Sequence, residues 1–381
     1  MKTLRRCFLA LTLALALSAG AAAVETSAFD FTDWNQVDYQ SQVSILTSLG
    51  VVGGYADNSF RPDDPITRAE IAKIASFLRE DTVPQYTTSS YTDTADTWAN
   101  DYIEYCAEQG ILGGYNGQFR PKDYVTAREL AKALLVVLGQ DSSAYVGDNW
   151  AEAVDEDADA LGIYNGYTLA RDLYVTRQQA CLLISNALQC PVQVEQQDGS
   201  MVYILDEMME PVSLLQYRFK VIPVVGVVEA NAQVDLRGGG SLDGNLLHIA
   251  GYTKDFEVSE QVANDMSLVG CNVTVYARFF EDYNRIYGVP QVVKDTGYSA
   301  GNLHASELPV VMKYGNLKFG NDTTYYINYE RVNRAAIDLL EPQDVLSIFD
   351  YEGDNIIDLV LVTRTSAAES TAKDETTTAH R

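Results

Sequence analysis

Histidine is almost missing from this chain: His248, His304 and His380 are all there are in 381 residues. Two Cys-x-x-Cys pairs are also lacking, so a structural zinc site has no ligand set and no metal is expected. Positive charge is scarce, with 27 Lys+Arg against 53 Asp+Glu and a net charge of −26. A chain so acidic cannot neutralise a phosphate backbone, which excludes nucleic acid as a partner. After the first residues no apolar run is long enough to span a bilayer. What is present is a folded composition, 47% hydrophobic, of a length that predicts two or three domains.

Residues 1–23 read as a secretory signal peptide. Lys2, Arg5 and Arg6 precede a short apolar core from Phe8 to Leu17, and Ala21-Ala22-Ala23 supplies small residues for cleavage. The core is too short for a membrane anchor, which needs about 20 apolar residues. Export permits disulfides among Cys106, Cys181, Cys190 and Cys271. Cys106 and Cys181 nevertheless fall on the apolar stripes of predicted helices, which favours buried thiols.

A repeat occurs three times between Phe31 and Leu188. The first copy holds Leu49-Gly50-Val51-Val52-Gly53-Gly54-Tyr55, Phe60-Arg61-Pro62 and Ile66-Thr67-Arg68-Ala69-Glu70. The second holds Gly110-Ile111-Leu112-Gly113-Gly114-Tyr115, Phe119-Arg120-Pro121 and Val125-Thr126-Ala127-Arg128-Glu129. The third is degenerate, with Gly162-Ile163-Tyr164-Asn165-Gly166-Tyr167, no Phe-Arg-Pro, and Val175-Thr176-Arg177-Gln178-Gln179. Each copy predicts helix, loop, helix. The leading glycine stops the first helix in a left-handed conformation, and Thr-x-x-Glu/Gln opens the second as a capping box. Apolar stripes such as Ile71, Ile74, Ala75 and Leu78 cannot be buried by one copy alone, so the copies should pack together.

Arg68, Arg128 and Arg177 recur in the first turn of these second helices, where the macrodipole disfavours a cation. A guanidinium beside exposed helix-start amides would receive a carboxylate or phosphate; the alternative is a salt bridge to a neighbouring acid. Trp98 and Trp150 both stand 12 residues before their glycine. Each would stack on a sugar face or anchor the helix core; Trp34, differently spaced, reads as core.

These motifs resemble the S-layer homology repeat, over about 160 of the 381 residues. The resemblance implies a pseudo-threefold spindle of helices whose grooves hold secondary cell wall polysaccharide, commonly pyruvylated, and so anchor exported proteins to peptidoglycan. Carried over by position, the motif's arginine is Arg68 and Arg177. In the second copy the order is Thr-Ala-Arg-Glu, so Arg128 is displaced by one residue, about 100° around the helix. The opening aspartate of the repeat matches Asp33 and Asp93, and less closely Asp148; the loop glycines match Gly54, Gly114 and Gly166.

Beyond Cys190-Pro191 the pattern changes to strand-like runs at 201–205, 221–228, 272–280, 309–319, 323–329 and 345–363. A hairpin is predicted from Val345 to Val362 around Glu352-Gly353-Asp354-Asn355. The expected architecture is α+β: three S-layer homology repeats at 28–82, 88–140 and 144–190, a β-rich barrel or sandwich at 200–365, and a disordered tail at 366–381. No Gly-x-Ser-x-Gly elbow or His-Glu-x-x-His helix occurs, so no catalytic residue is assigned and no cofactor is expected. The function expected is a non-catalytic wall-anchored protein, either a self-assembling S-layer component or a surface adaptor. The alternative is a wall-anchored enzyme acting on polysaccharide through paired carboxylates in the β-rich part.

The repeats themselves carry 10 Lys+Arg and 23 Asp+Glu from Phe31 to Leu188. Affinity for an anionic polymer must then come from a few placed arginines, and should hold steady or strengthen as salt rises.

Overall fold

The computed structural model describes residues 31–293 and 299–364, without the side chains of 299–302. The predicted signal peptide and the predicted tail lie outside them. Six helices build the first part: α1 (Gln40–Ser48), α2 (Arg68–Arg79), α3 (Asn100–Glu108), α4 (Ala127–Val137), α5 (Trp150–Ala160) and α6 (Arg177–Leu188). Just past α1, α3 and α5, Gly50, Gly110 and Gly162 take φ of +73°, +69° and +75°, a conformation costly for any residue with a Cβ. Thr67, Thr126 and Thr176 cap α2, α4 and α6, each with the reciprocal bond from the Glu or Gln three residues on.

The residue before each capping threonine joins a ring of three hydrogen bonds. Ile66 N–H donates to the Val175 carbonyl (3.2 Å), Val175 N–H to Val125 (3.0 Å), and Val125 N–H to Ile66 (3.2 Å). All three side chains are buried. The first amides of each capped helix, which have no partner within their own helix, reach the loop of another unit. Arg68 and Ala69 donate to Asp123 and Pro121, Ala127 and Arg128 to Leu173 and Arg171, and Arg177 and Gln178 to Asp64 and Pro62. Unit one thus holds unit two, two holds three, and three holds one. The stripes of all six helices share one core, including Leu46, Ile71, Cys106, Leu134, Cys181 and Ile184.

A short antiparallel hairpin follows, β1 (Gln193–Glu195) with β2 (Met201–Tyr203). A closed five-stranded barrel comes next: β3 (Ile222–Ala230), β4 (Leu246–Ile249), β5 (Phe256–Glu257), β6 (Asn272–Phe279) and β7 (Asn284–Val292), in the order β3-β4-β5-β7-β6. Val228, Leu247, Ile249, Phe256, Val273 and Val275 fill it. The last part is a five-stranded sheet ordered β10-β9-β12-β11-β8, from β8 (Ser299–His304), β9 (Lys318–Ile327), β10 (Glu330–Val332), β11 (Val345–Phe349) and β12 (Ile356–Thr363). The hairpin read at 345–362 is β11 with β12, antiparallel as expected.

Two departures from the sequence reading have clear causes. The run 309–319 is not one strand: Leu308–Tyr314 is a helix with Pro309 in its first turn, where a missing N–H costs nothing. Leu308, Val311 and Met312 pack that helix on the sheet. The strands β4 and β5, four and two residues long, are too short to stand out as runs, and Asn284, Arg285, Gly288 and Pro290 dilute the apolar pattern of β7.

The barrel rests on the helical part. Gly288 and Val289 of β7 donate their N–H groups to the hydroxyls of Ser48 and Ser44 on α1, both at 3.1 Å. Gly288 has φ +78°, and a Cβ there would lie 2.9 Å from the Ile45 nitrogen. Arg218 makes a second tie, donating to the Phe77 carbonyl at 3.1 Å and to Asp81 at 2.6 Å.

Candidate functional site: the seams between repeats

Each loop is built around an aspartate. Asp33 accepts from the N–H groups of Phe60 and Arg61, both at 2.8 Å, and Asp93 from Phe119 (2.9 Å) and Arg120 (2.8 Å). These bonds hold Arg61 and Arg120 at φ +56° and +60°, a strain of about 1–2 kcal/mol each. Burial would raise the Asp93 pKa, but the two amides outweigh it and the carboxyl sits below its usual range. The loop glycines serve close approach: a Cβ on Gly54 would lie 2.4 Å from the Phe31 ring, and one on Gly114 2.3 Å from the Gln118 carbonyl. Gly166 takes φ +78°. Asp148, the looser match in the third copy, makes no hydrogen bond or ion pair among the described residues.

Arg68 and Arg177 occupy equivalent places at two seams. The Arg68 Nε donates to the Phe119 carbonyl (2.9 Å) and its Nη2 to the Gly113 carbonyl (2.6 Å). Arg177 does the same to Phe60 and Gly53, both at 2.8 Å. Each guanidinium lies over the phenylalanine ring of the loop it grips, at 4.6 Å and 4.8 Å. Burial lowers the Arg68 pKa, and the charge of Glu129 partly offsets it. This explains an arginine in a first turn. The side chain leaves its own helix and binds the carbonyls of the next unit, so the unfavourable macrodipole term is met by two charge-assisted bonds.

The helix-start amides expected to join in anion binding are not exposed, because the neighbouring loops take them. At these two seams the Nη1 nitrogen remains, 3.9 Å from Glu129 for Arg68 and 3.5 Å from Glu70 for Arg177.

The third seam is chemically different. Arg128 stands one position later, behind the buried Ala127, and grips Asp155 of α5 with Nε at 3.1 Å and Nη2 at 2.9 Å. Arg171 approaches the same carboxylate at 3.4 Å, and the Tyr164 hydroxyl donates to it at 3.2 Å. Burial would raise the Asp155 pKa, but Arg128 and Arg171 dominate and hold it low. Counting back from the equivalent glycines, Asp155 stands where the first two copies have Val43 and Ile103, both fully buried. Tyr164 replaces Val52 and Leu112, and Arg171 replaces Pro62 and Pro121. The Asn165 carbonyl, at the position of Gly53 and Gly113, is served by the Asn186 amide at 2.7 Å. One seam has thus exchanged apolar packing and a carbonyl clip for an ion network.

Trp98 is 62% exposed, edge-on to Tyr102, whereas Trp150 is half-buried with the Lys132 ammonium 5.9 Å from its ring. Trp34 packs against the core. The sequence reading missed Tyr124 and Tyr174, which are exposed, stand just before two residues of the hydrogen-bonded ring, and pair edge to face at 5.7 Å. Their signal was positional: each precedes the Val-Thr that enters a capped helix. It also missed Asp155 and Arg171.

A family model described as the S-layer homology domain matches residues 30–72 and 90–131, the two copies that keep both the aspartate-built loop and the capped helix.

The chain is an S-layer homology domain protein.

Cell surface glycoprotein 1 of Acetivibrio thermocellus is 32% identical over 160 residues, 36% of this chain and 7% of that protein. The Middle cell wall protein of Brevibacillus brevis is 27% identical over 205 residues, 52% of this chain and 19% of its own length. The Cellulosome-anchoring protein of Acetivibrio thermocellus is 30% identical over 155 residues, 36% of this chain and 35% of its own length. The chain therefore spans about a third or less of these relatives. With this domain and these surface and wall proteins as relatives, it is an exported, wall-associated S-layer homology domain protein.

Proposed function

We propose that this S-layer homology domain protein is a non-catalytic anchor that holds an acidic, pyruvylated secondary cell wall polysaccharide at two of its three seams. The third unit, in this reading, is a degenerate S-layer homology repeat that completes the triplet. The observation that carries the proposal is the duplicated clip. At the Arg68 and Arg177 seams a guanidinium fixed by two carbonyls turns one nitrogen toward a single carboxylate, a poised donor for an acidic substituent. Exposed Trp98 and the Tyr124–Tyr174 pair offer flat faces for sugar rings. At the third seam Asp155 fills the arginine fork as a ligand carboxylate would, so that seam is self-occupied. The β-rich part is displayed outward, as a lattice component or an adaptor.

Sedimentation with purified sacculi tests this. Retention on intact sacculi, loss after acid strips the polymer, and loss in the Arg68→Ala/Arg177→Ala double variant are expected. Equal retention on stripped sacculi, or by a folded double variant, would overturn it.

A further inference from the structure

A cavity of about 300 Å³ lies between the barrel and the five-stranded sheet, at the small end of ligand pockets. Two tyrosines close its sides and bridge the two bodies: the Tyr326 hydroxyl donates to the Leu236 carbonyl at 2.8 Å, and the Tyr351 hydroxyl to the Gly270 carbonyl. Leu236, Phe349 and Leu359 pack in the same joint. The cavity is therefore framed by bonds across the joint, with flat aromatic walls.

Four charged side chains line it: Glu229, Arg237, Arg331 and Asp358. Two are already engaged. Arg237 donates to Asp235 through Nε (2.9 Å) and Nη2 (2.7 Å). Asp358 accepts the Tyr351 N–H at 2.6 Å, and burial, with Asp350 and Asp354 nearby, raises its affinity for a proton. The other two are not. Glu229, on β3, makes no side-chain hydrogen bond among the described residues; the His248 Nε2 stands 3.7 Å away, its ring committed through Nδ1 to Asp255 at 2.7 Å, and the Arg237 charge acts on Glu229 from a distance. The Arg331 guanidinium, on β10, is solvent-exposed and makes no hydrogen bond or ion pair among the described residues. Nor do the two pair with each other, although they have opposite sign and face one cavity.

An anion alone would meet Glu229, a cation alone would meet Arg331, and a neutral guest would engage neither charge. We propose that the cavity binds a small zwitterion, an amino acid or a dipeptide, with its carboxylate on Arg331 and its ammonium on Glu229. The tyrosine faces accommodate the apolar remainder of such a guest.

Calorimetry on the full chain with glycine, γ-aminobutyrate and alanyl-alanine varies the charge separation. At least one should bind with a Kd of about 1 mM or tighter, and its N-acetyl and methyl ester forms about tenfold more weakly. Glu229→Gln and Arg331→Gln, both shape-preserving, should each weaken the same ligand about tenfold without moving the melting temperature. No binding of any zwitterion at about 10 mM, or capped forms binding equally well, would overturn the proposal. Should a variant prove unstable, the capped-ligand comparison on the unaltered chain decides. None of these readouts involves sacculi, so the result is independent of the anchoring proposal.

Discussion

The Arg68 Nε lies 2.9 Å from the carbonyl of Phe119, fifty-one residues away in the next repeat, and the same bond recurs from Arg177 to Phe60. Removing the guanidinium would leave one buried carbonyl unpaired at each seam, that of Phe119 or Phe60, and take the donor from a second, that of Gly113 or Gly53. Arg68→Ala is expected to cost about 2–4 kcal/mol, read as a lower urea midpoint. Arg68→Lys should recover little, because an ammonium cannot span the Phe119 and Gly113 carbonyls as the planar fork does. Full recovery by lysine would show that charge alone matters at this seam.

Asp155 ties the third seam to pH. Its folded pKa is held below the unfolded value, so its contribution is fully present above about pH 4 and is lost as pH falls through the folded pKa. Asp93 acts in the same direction. Urea midpoints taken between about pH 2 and pH 6 should fall on acidification, and the Asp155→Asn variant should show a shallower fall. An unchanged slope in that variant would assign the acid sensitivity elsewhere.

Gly288 is where the barrel touches α1. Gly288→Ala forces a side chain into φ +78° and places a Cβ 2.9 Å from the Ile45 nitrogen. A loss of about 2–3 kcal/mol is expected. Limited proteolysis should then cut between the helical part and the barrel faster than in the unaltered chain.

Cys106, Cys181 and Cys190 should be inert while the chain is folded. The four cysteines among the described residues are free thiols; Cys106, Cys181 and Cys190 are buried, and burial pushes their pKa up to about 11, about 12 and about 11. At about pH 8, alkylation of native protein should be slow at these three and faster at the half-buried Cys271, with all four reacting in denaturant.

Binding to sacculi should not weaken as salt rises from about 0.05 to 0.2 M, because the repeats are themselves acidic and added salt screens repulsion from an acidic polymer. A steep loss over that range would point to an undiscovered basic surface.

Local chemistry made much of the helical part readable. The capping boxes at Thr67, Thr126 and Thr176 and the left-handed glycines Gly50, Gly110 and Gly162 need only their immediate neighbours, so sequence by itself determined where those helices start and stop. It also determined that three stripes had to share a core. The aspartates and loop glycines were legible as recurring positions, but not as the posts of a loop, since Asp33 and Phe60 meet only after the chain has turned back.

What the tertiary structure decided was where the arginines go. Arg68, Arg128 and Arg177 look nearly alike in sequence, yet two bind carbonyls of another repeat and one binds Asp155. A one-residue shift turns the side chain about 100° around the helix, and its partner lies on an element distant in sequence. The β-rich part was harder to read for the same reason. Its short strands find partners across the barrel and sheet, and the cavity with Glu229 and Arg331 exists only where those two bodies meet.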